Sequence, residues 1–101
     1  MLNQGGYNLK NYEGLFLVKP ELEKEQLTTL YQQIEEVIKK HNGQIESVED
    51  QGKKRLSYEI KKYKEAIFYI AKIQIGPDKV NPLTGDLKLI DSVLRVMITL
   101  G

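Results

Sequence analysis

Between Pro20 and Gly43 the chain carries one apolar stripe at helical spacing, and this feature narrows the possible folds more than any other. Leu27, Leu30, Ile34, Val37, Ile38 and His41 recur three and four residues apart, so the spacing predicts a helix over Glu21–His41 with a single greasy side. Acids crowd its first turns and Lys39, Lys40 and His41 close the last one, the sense that the helix dipole favours. Asn42-Gly43 supplies a stop. A helix with one apolar side must lie on another layer of structure. The rest of the chain reads as the strands of that layer.

Tyr12–Val18 (YEGLFLV) is aromatic and branched and apolar on both sides, as expected of a strand inside a sheet. Gln44–Ile60 reads as a long strand in which Leu56, Tyr58 and Ile60 alternate with Arg55, Ser57 and Glu59 and anchor the strand to the core, while Gly52 marks a bulge or bend. Lys61–Lys64 reads as a polar turn leading into a strand over Glu65–Ile75, which makes a hairpin with the one before. Gly76-Pro77-Asp78 ends that strand. Val80, Leu83 and Leu87 predict a second, poorer helix, with Asn81 as its N-cap and Pro82 at its first position. Val93–Leu100 is the last strand, with Arg95 its sole charge. The order β-α-β-β-α-β is the ferredoxin-like arrangement of the α+β class: a four-stranded antiparallel sheet with two helices on one face. Right-handed crossovers then set the first and third strands side by side in the centre and leave the second face open to a partner.

At 101 residues the chain is the size of one domain. The polar stretch Met1–Asn8, with Gly5-Gly6, has neither the basic nor the apolar region of a signal peptide. It predicts a flexible extension over residues 1–9, with the single domain over 10–101. No apolar run reaches the roughly 18–20 residues that span a bilayer as a helix. The absence of cysteine excludes disulfides, thiolate zinc sites and cysteine nucleophiles. The single histidine, His41, reads as a charge complement at a helix end. Glu35-Glu36 and Glu49-Asp50 read as solvated acids, and no glycine-rich phosphate loop occurs. These observations predict a protein that is not an enzyme and needs no cofactor and no metal.

Charge is segregated although the net charge is only +1. Glu21–Asp50 is mainly acidic; Lys53–Lys64 holds Lys53, Lys54, Arg55, Lys61, Lys62 and Lys64 against the single acid Glu59, so a polyanion would feel the second stretch and avoid the first. On an extended strand Lys53 and Arg55 share a face and Lys54 takes the other. Such a row suits phosphate contacts. It equally suits an edge strand guarded against aggregation, and the residues alone leave these two readings balanced. Tyr12, Tyr58, Tyr63 and Tyr69 read as core tyrosines rather than base-stacking residues, because Lys64–Ala71 lacks the glycines of the RNA-recognition signature.

Tyr12-Glu13, Lys19-Pro20, a long first helix ending at Gly43, G-K-K-R-L-S-Y-E-I-K-K over Gly52–Lys62 and V-L-R-V-M-I over Val93–Ile98 follow one another in an order that resembles the bacterial small-subunit ribosomal protein six family, from about Tyr12 to Leu100. The resemblance implies a ferredoxin-like domain without enzymatic activity, cytoplasmic and on the small ribosomal subunit. It implies binding to the central domain of 16S ribosomal RNA together with small-subunit ribosomal protein eighteen. Apart from the resemblance, the chain is expected to be a monomer when isolated. Carried over by position, the candidates for RNA contact are Lys10 and Tyr12, Lys54 and Arg55, and Lys88 and Arg95; the strand row adds Lys53. The sequence departs from the family's pattern at Asn11, Ile90 and Leu94, where basic residues are frequent, and at Glu59, where proline commonly follows the motif tyrosine. Two other readings use similar folds or edges. An acylphosphatase-like enzyme or a small-molecule regulatory domain is one; the enzyme would need an arginine beside a phosphate cradle after the first strand, where Lys19-Pro20-Glu21 places an acid. A scaffold that self-associates through edge strands is the other.

Overall fold

The structure, a computed structural model, describes residues 9–101; the extension expected over residues 1–9 lies, Leu9 apart, outside the described residues. Strands β1 (Lys10–Val18), β2 (Gln44–Ile60), β3 (Tyr63–Ile75) and β4 (Val93–Leu100) alternate with helices α1 (Lys24–Lys40) and α2 (Val80–Leu87) in the expected order. The sheet runs β2-β3-β1-β4, every neighbouring pair antiparallel, so the first and third strands do lie in the centre.

The apolar stripe of α1 becomes the core contact. Leu30, Ile34 and Ile38 are buried, with Leu27 and Val37 packed beside them. The helix starts at Lys24 rather than Glu21, because Pro20 and Glu21 form a turn and Glu23 takes the cap position, its N–H donating to Gln26 Oε1 at 2.8 Å. At the other end the Asn42 N–H donates to the Lys39 carbonyl and the Gly43 N–H to that of Ile38, both at 2.9 Å, with Asn42 at φ 64°. This left-handed cap is what Asn42-Gly43 announces in the sequence.

Beneath α1 lie Phe16 and Val18 of β1, Tyr69, Ala71 and Ile73 of β3, and Val96 of β4. Gly14 of β1 leaves room for this layer: a Cβ there would stand 3.0 Å from the Phe16 ring and 3.1 Å from Ile73. The second helix brings Leu83 and Leu87 to the same face. Its start differs from the sequence expectation. A 3-10 turn over Pro77–Lys79 leads directly into α2 at Val80, so Asn81 and Pro82 sit inside the first turn instead of capping it. Pro82 is tolerated there because first-turn N–H groups have no partner within the helix.

Polar clasps tie the helices and loops to the sheet. His41 Nε2 lies 2.7 Å and Lys40 Nζ 3.5 Å from Asp86 Oδ2, joining the end of α1 to α2. Lys19 Nζ donates to Asp91 Oδ2 at 2.7 Å, joining the end of β1 to the turn before β4. These hydrogen bonds, with the neighbouring cations, hold both aspartates below their ordinary pKa of 3.8.

The β2–β3 hairpin turns over two residues, Lys61 at φ 52° and Lys62 at φ 73°, so the polar turn is shorter than Lys61–Lys64 and β3 resumes at Tyr63. Two consecutive left-handed residues make the turn that best matches strand twist, but that turn prefers Asn-Gly, and lysine is strained there.

Three outcomes follow from these contacts. Ile38→Ala empties the centre of the α1 contact and should lower unfolding free energy by about 2–5 kcal/mol in urea titrations. The pair Lys61→Asn with Lys62→Gly should raise stability by about 1 kcal/mol in the same titrations, by relieving the turn. Because the folded pKa values of Asp86 and Asp91 are depressed, their contribution is present above the ordinary carboxylate range and is lost as pH falls through the folded values. The gap in urea midpoint between the wild type and the Asp86→Asn, Asp91→Asn pair should therefore be present at about pH 7 and close at about pH 2.

Candidate nucleic-acid interface

The basic stretch of β2 alternates as its extended backbone requires. Lys53 pairs with Ile67 and Arg55 with Glu65, on the face that carries the helices, while Lys54 pairs with Ala66 on the other face. Lys54 Nζ stands 5.4 Å from the centre of the Phe68 ring. Gly52, at φ 84°, sits at a register shift with its N–H bonded to Asp50 Oδ1 at 2.7 Å, the bulge expected from the sequence.

Beyond Arg55 the hairpin departs from a regular ladder. Arg55 pairs with Glu65 and Ile60 with Tyr63, so the four residues Leu56–Glu59 oppose the single residue Lys64. The extra chain curls over the helix-free face of the sheet. Leu56, Ile60 and Tyr63 pack there on Leu17, Ala66 and Leu94, a second small core that covers one end of that face. A bulge at Leu94 turns this side chain inward, since Val93 pairs with Val18 and Arg95 with Leu17. The Tyr63 hydroxyl donates to Glu21 Oε2 at 2.7 Å and steadies the tip against the start of the α1 loop.

The same curl carries Tyr58 across the sheet. Strands β2 and β4 are opposite edges, three strand spacings or about 14 Å apart in a flat sheet. Even so, Arg95 Nη1 of β4 donates to the Tyr58 hydroxyl at 3.0 Å. Tyr58 is therefore not the core anchor that its alternation predicts; it is 65% exposed. Leu56 and Ile60 do the anchoring. Alternation places Tyr58 with them only if the strand stays regular, and here it does not.

Along the outer edge of β4 runs a groove of about 400 Å³ lined by Lys61, Lys88 and the strand from Val93 to Met97, which includes Arg95. The fold thus joins two of the sequence candidates, Lys88 and Arg95, with Lys61. In the sequence Lys61 belongs to the basic stretch Lys53–Lys64 and to the polar turn but not to the candidates for RNA contact; the signal it carried was a lysine pair where a two-residue turn prefers Asn-Gly. Lys54 adjoins this group from the sheet face, because Phe68, Leu17 and Arg95 form one cross-strand row. Lys54 over Phe68 and Arg95 are then about 10 Å apart along the row.

Other candidates lie elsewhere. Lys10, paired with Ile75, is seven residues along β1 from Leu17, about 23 Å from the Arg95 row. Tyr12 is only 9% exposed and belongs to the helix-side core, away from the groove beside β4. Lys53 and Arg55 are exposed on the opposite side of the hairpin from Lys54. The acids Glu46, Glu49 and Asp50 occupy the other half of β2, away from the groove. Among the described residues no three His, Cys, Asp or Glu side chains are grouped to hold a metal.

The fold and sequence both have relatives. The family model for ribosomal protein S6 matches residues 11–99. The small ribosomal subunit protein bS6 of Moorella thermoacetica is 34% identical over 91 residues, covering 90% of this chain and 93% of the relative. That of Desulforamulus reducens is 32% identical over 90 residues, covering 89% and 95%. Among solved structures, 30S ribosomal protein S6 from Thermotoga maritima superposes with a TM-score of 0.80 at 21% identity, covering 92% of this chain and 88% of that one. The C-terminal domain of the MgtC protein from Mycobacterium tuberculosis shares the fold at a TM-score of 0.63 and 16% identity, covering 100% and 94%. Agreement of the family model, the relatives and the architecture over nearly the whole described chain leads to one conclusion: this chain belongs to the ribosomal protein S6 family.

Proposed function

We propose that the chain is a structural constituent of the small ribosomal subunit that binds the central domain of 16S ribosomal RNA together with small-subunit ribosomal protein eighteen, catalysing no reaction, in the cytoplasm. The observation that carries the RNA reading is the convergence of Lys54, Lys61, Lys88 and Arg95 at one end of the sheet, drawn from β2, its turn, the α2–β4 loop and β4. A net charge of +1 would not attract RNA by itself, but this concentration of cations at one end does. Lys53 and Arg55 extend the basic surface around the hairpin, and Lys10 forms a separate contact at the far end of β1. The acylphosphatase-like alternative loses support, since after β1 the Lys19 amine is engaged by Asp91 and the adjacent Glu21 repels phosphate.

Position favours edge protection for some of these cations and phosphate contact for others. Lys53, Lys54 and Arg55 guard the outer edge of β2, which is also broken by three register shifts, and this supports a monomer when the chain is isolated. Lys61 in the turn and Lys88 in the α2–β4 loop guard no strand edge and are the stronger candidates for phosphate; Arg95, on the edge strand β4, joins them through the groove they share.

Binding of the full chain, with and without the partner protein, to a three-way junction from the central domain tests the reading. Wild-type protein should prefer the junction to unrelated RNA of equal length. Lys61→Ala, Lys88→Ala and Arg95→Ala should each lower affinity and each reduce the slope of log affinity against log salt by about one. Lys10→Ala should act independently of the other three. Equal binding to both RNAs, with the partner present, would sink the proposal.

A further inference from the structure

We propose that Tyr58 is a base-stacking residue, its ring fixed by Arg95 and presented to one unpaired nucleotide of the bound RNA. The inference deepens the RNA-binding reading and rests on it.

Among the described residues Tyr58 is the sole aromatic side chain that is largely exposed; Tyr12, Phe16 and Tyr69 are buried and Tyr31, Tyr63 and Phe68 partly so. Its exposure is not that of a loose surface residue. The chain inserts extra residues against Lys64, so that Leu56 and Ile60 pin the tip on either side of it, and Arg95 from the opposite sheet edge holds the hydroxyl at 3.0 Å. A ring held by its hydroxyl and by the packing of its neighbours keeps its faces for solvent or a ligand, and ordering it in advance removes the entropy that binding would otherwise cost. Single-stranded nucleotides are recognised by such rings and by arginine planes, with cations alongside for the phosphates. Here the cations are Lys54 on the sheet face and Lys61 and Lys88 in the groove that Arg95 shares. A ring bonded to Arg95, which shares its groove with Lys61 and Lys88, fits a nucleotide better than an apolar protein side chain, which would leave those charges unpaired.

Three substitutions separate stacking from a purely structural hydrogen bond. Tyr58→Phe keeps the ring and loses the bond to Arg95; Tyr58→Leu keeps apolar bulk and loses the ring; Lys61→Ala removes a cation only. The probe is the junction RNA with 2-aminopurine placed at each unpaired position in turn, whose fluorescence is quenched on stacking. Wild-type protein should quench at one position. Tyr58→Leu should abolish that quenching and weaken binding roughly tenfold, within the usual range for one stacked base, without changing the salt slope. Tyr58→Phe should retain most of both, and Lys61→Ala should lower the slope but keep the quenching. Urea midpoints establish that each variant is folded. If wild-type protein prefers the junction while Tyr58→Leu binds and quenches as wild type does, stacking is overturned and the RNA-binding reading stands. If Tyr58→Leu weakens only the partner protein's binding, Tyr58 is a protein contact and stacking is again overturned. Absence of any junction preference in the wild type overturns both.

Discussion

The pairing of β1 with β3 is the constraint around which the molecule is organised. Both strands are apolar on both faces over much of their length, so the sheet they form needs cover on two sides. The helices supply it on one side, where Leu30, Ile34 and Ile38 of α1 and Leu83 and Leu87 of α2 close over Phe16, Tyr69 and Ile73. Among the described residues no third helix covers the other side. There the cover is the tip of the β2–β3 hairpin, whose Leu56, Ile60 and Tyr63 sit on Leu17, Ala66 and Leu94.

That second cover sets the charge geometry. To bring Leu56 and Ile60 onto Leu17, β2 must abandon its register with β3 and fold its last residues across the sheet. The residues between and beyond them are carried along: Tyr58 reaches Arg95, and Lys61 reaches the groove beside β4. Hydrophobic burial thus assembles the basic end, and no attraction among like charges has to be invoked. The two strained lysines of the turn are consistent with this view, since a turn selected only for stability would favour Asn-Gly over two cations.

The rest of the surface keeps charge off the wrong places. Acids fill the first half of β2, so a polyanion would be drawn to the basic end and repelled by the other half of the same strand. The aspartates nearest the basic end are engaged: Asp91 with Lys19, Asp86 with His41 and Lys40. The only histidine serves one of these clasps, as its place at a helix end implies.

The element order, the buried side of α1, its Asn42-Gly43 stop and the bulge at Gly52 are legible in the sequence, because each is written in a local period or a backbone preference that near neighbours settle, and right-handed crossovers then set the first and third strands in the centre of the antiparallel sheet. The sequence also located the segments that carry charge. Tertiary structure decided which charges meet. Tyr58 alternates like a core residue and is exposed; Tyr12, a candidate for RNA contact, is buried; Lys61 passes for a turn residue and lines a groove with Lys88 and Arg95. Each depends on how far the hairpin curls over Leu17 and Leu94, and that is fixed by packing between residues distant in the chain, where local periodicity carries no information.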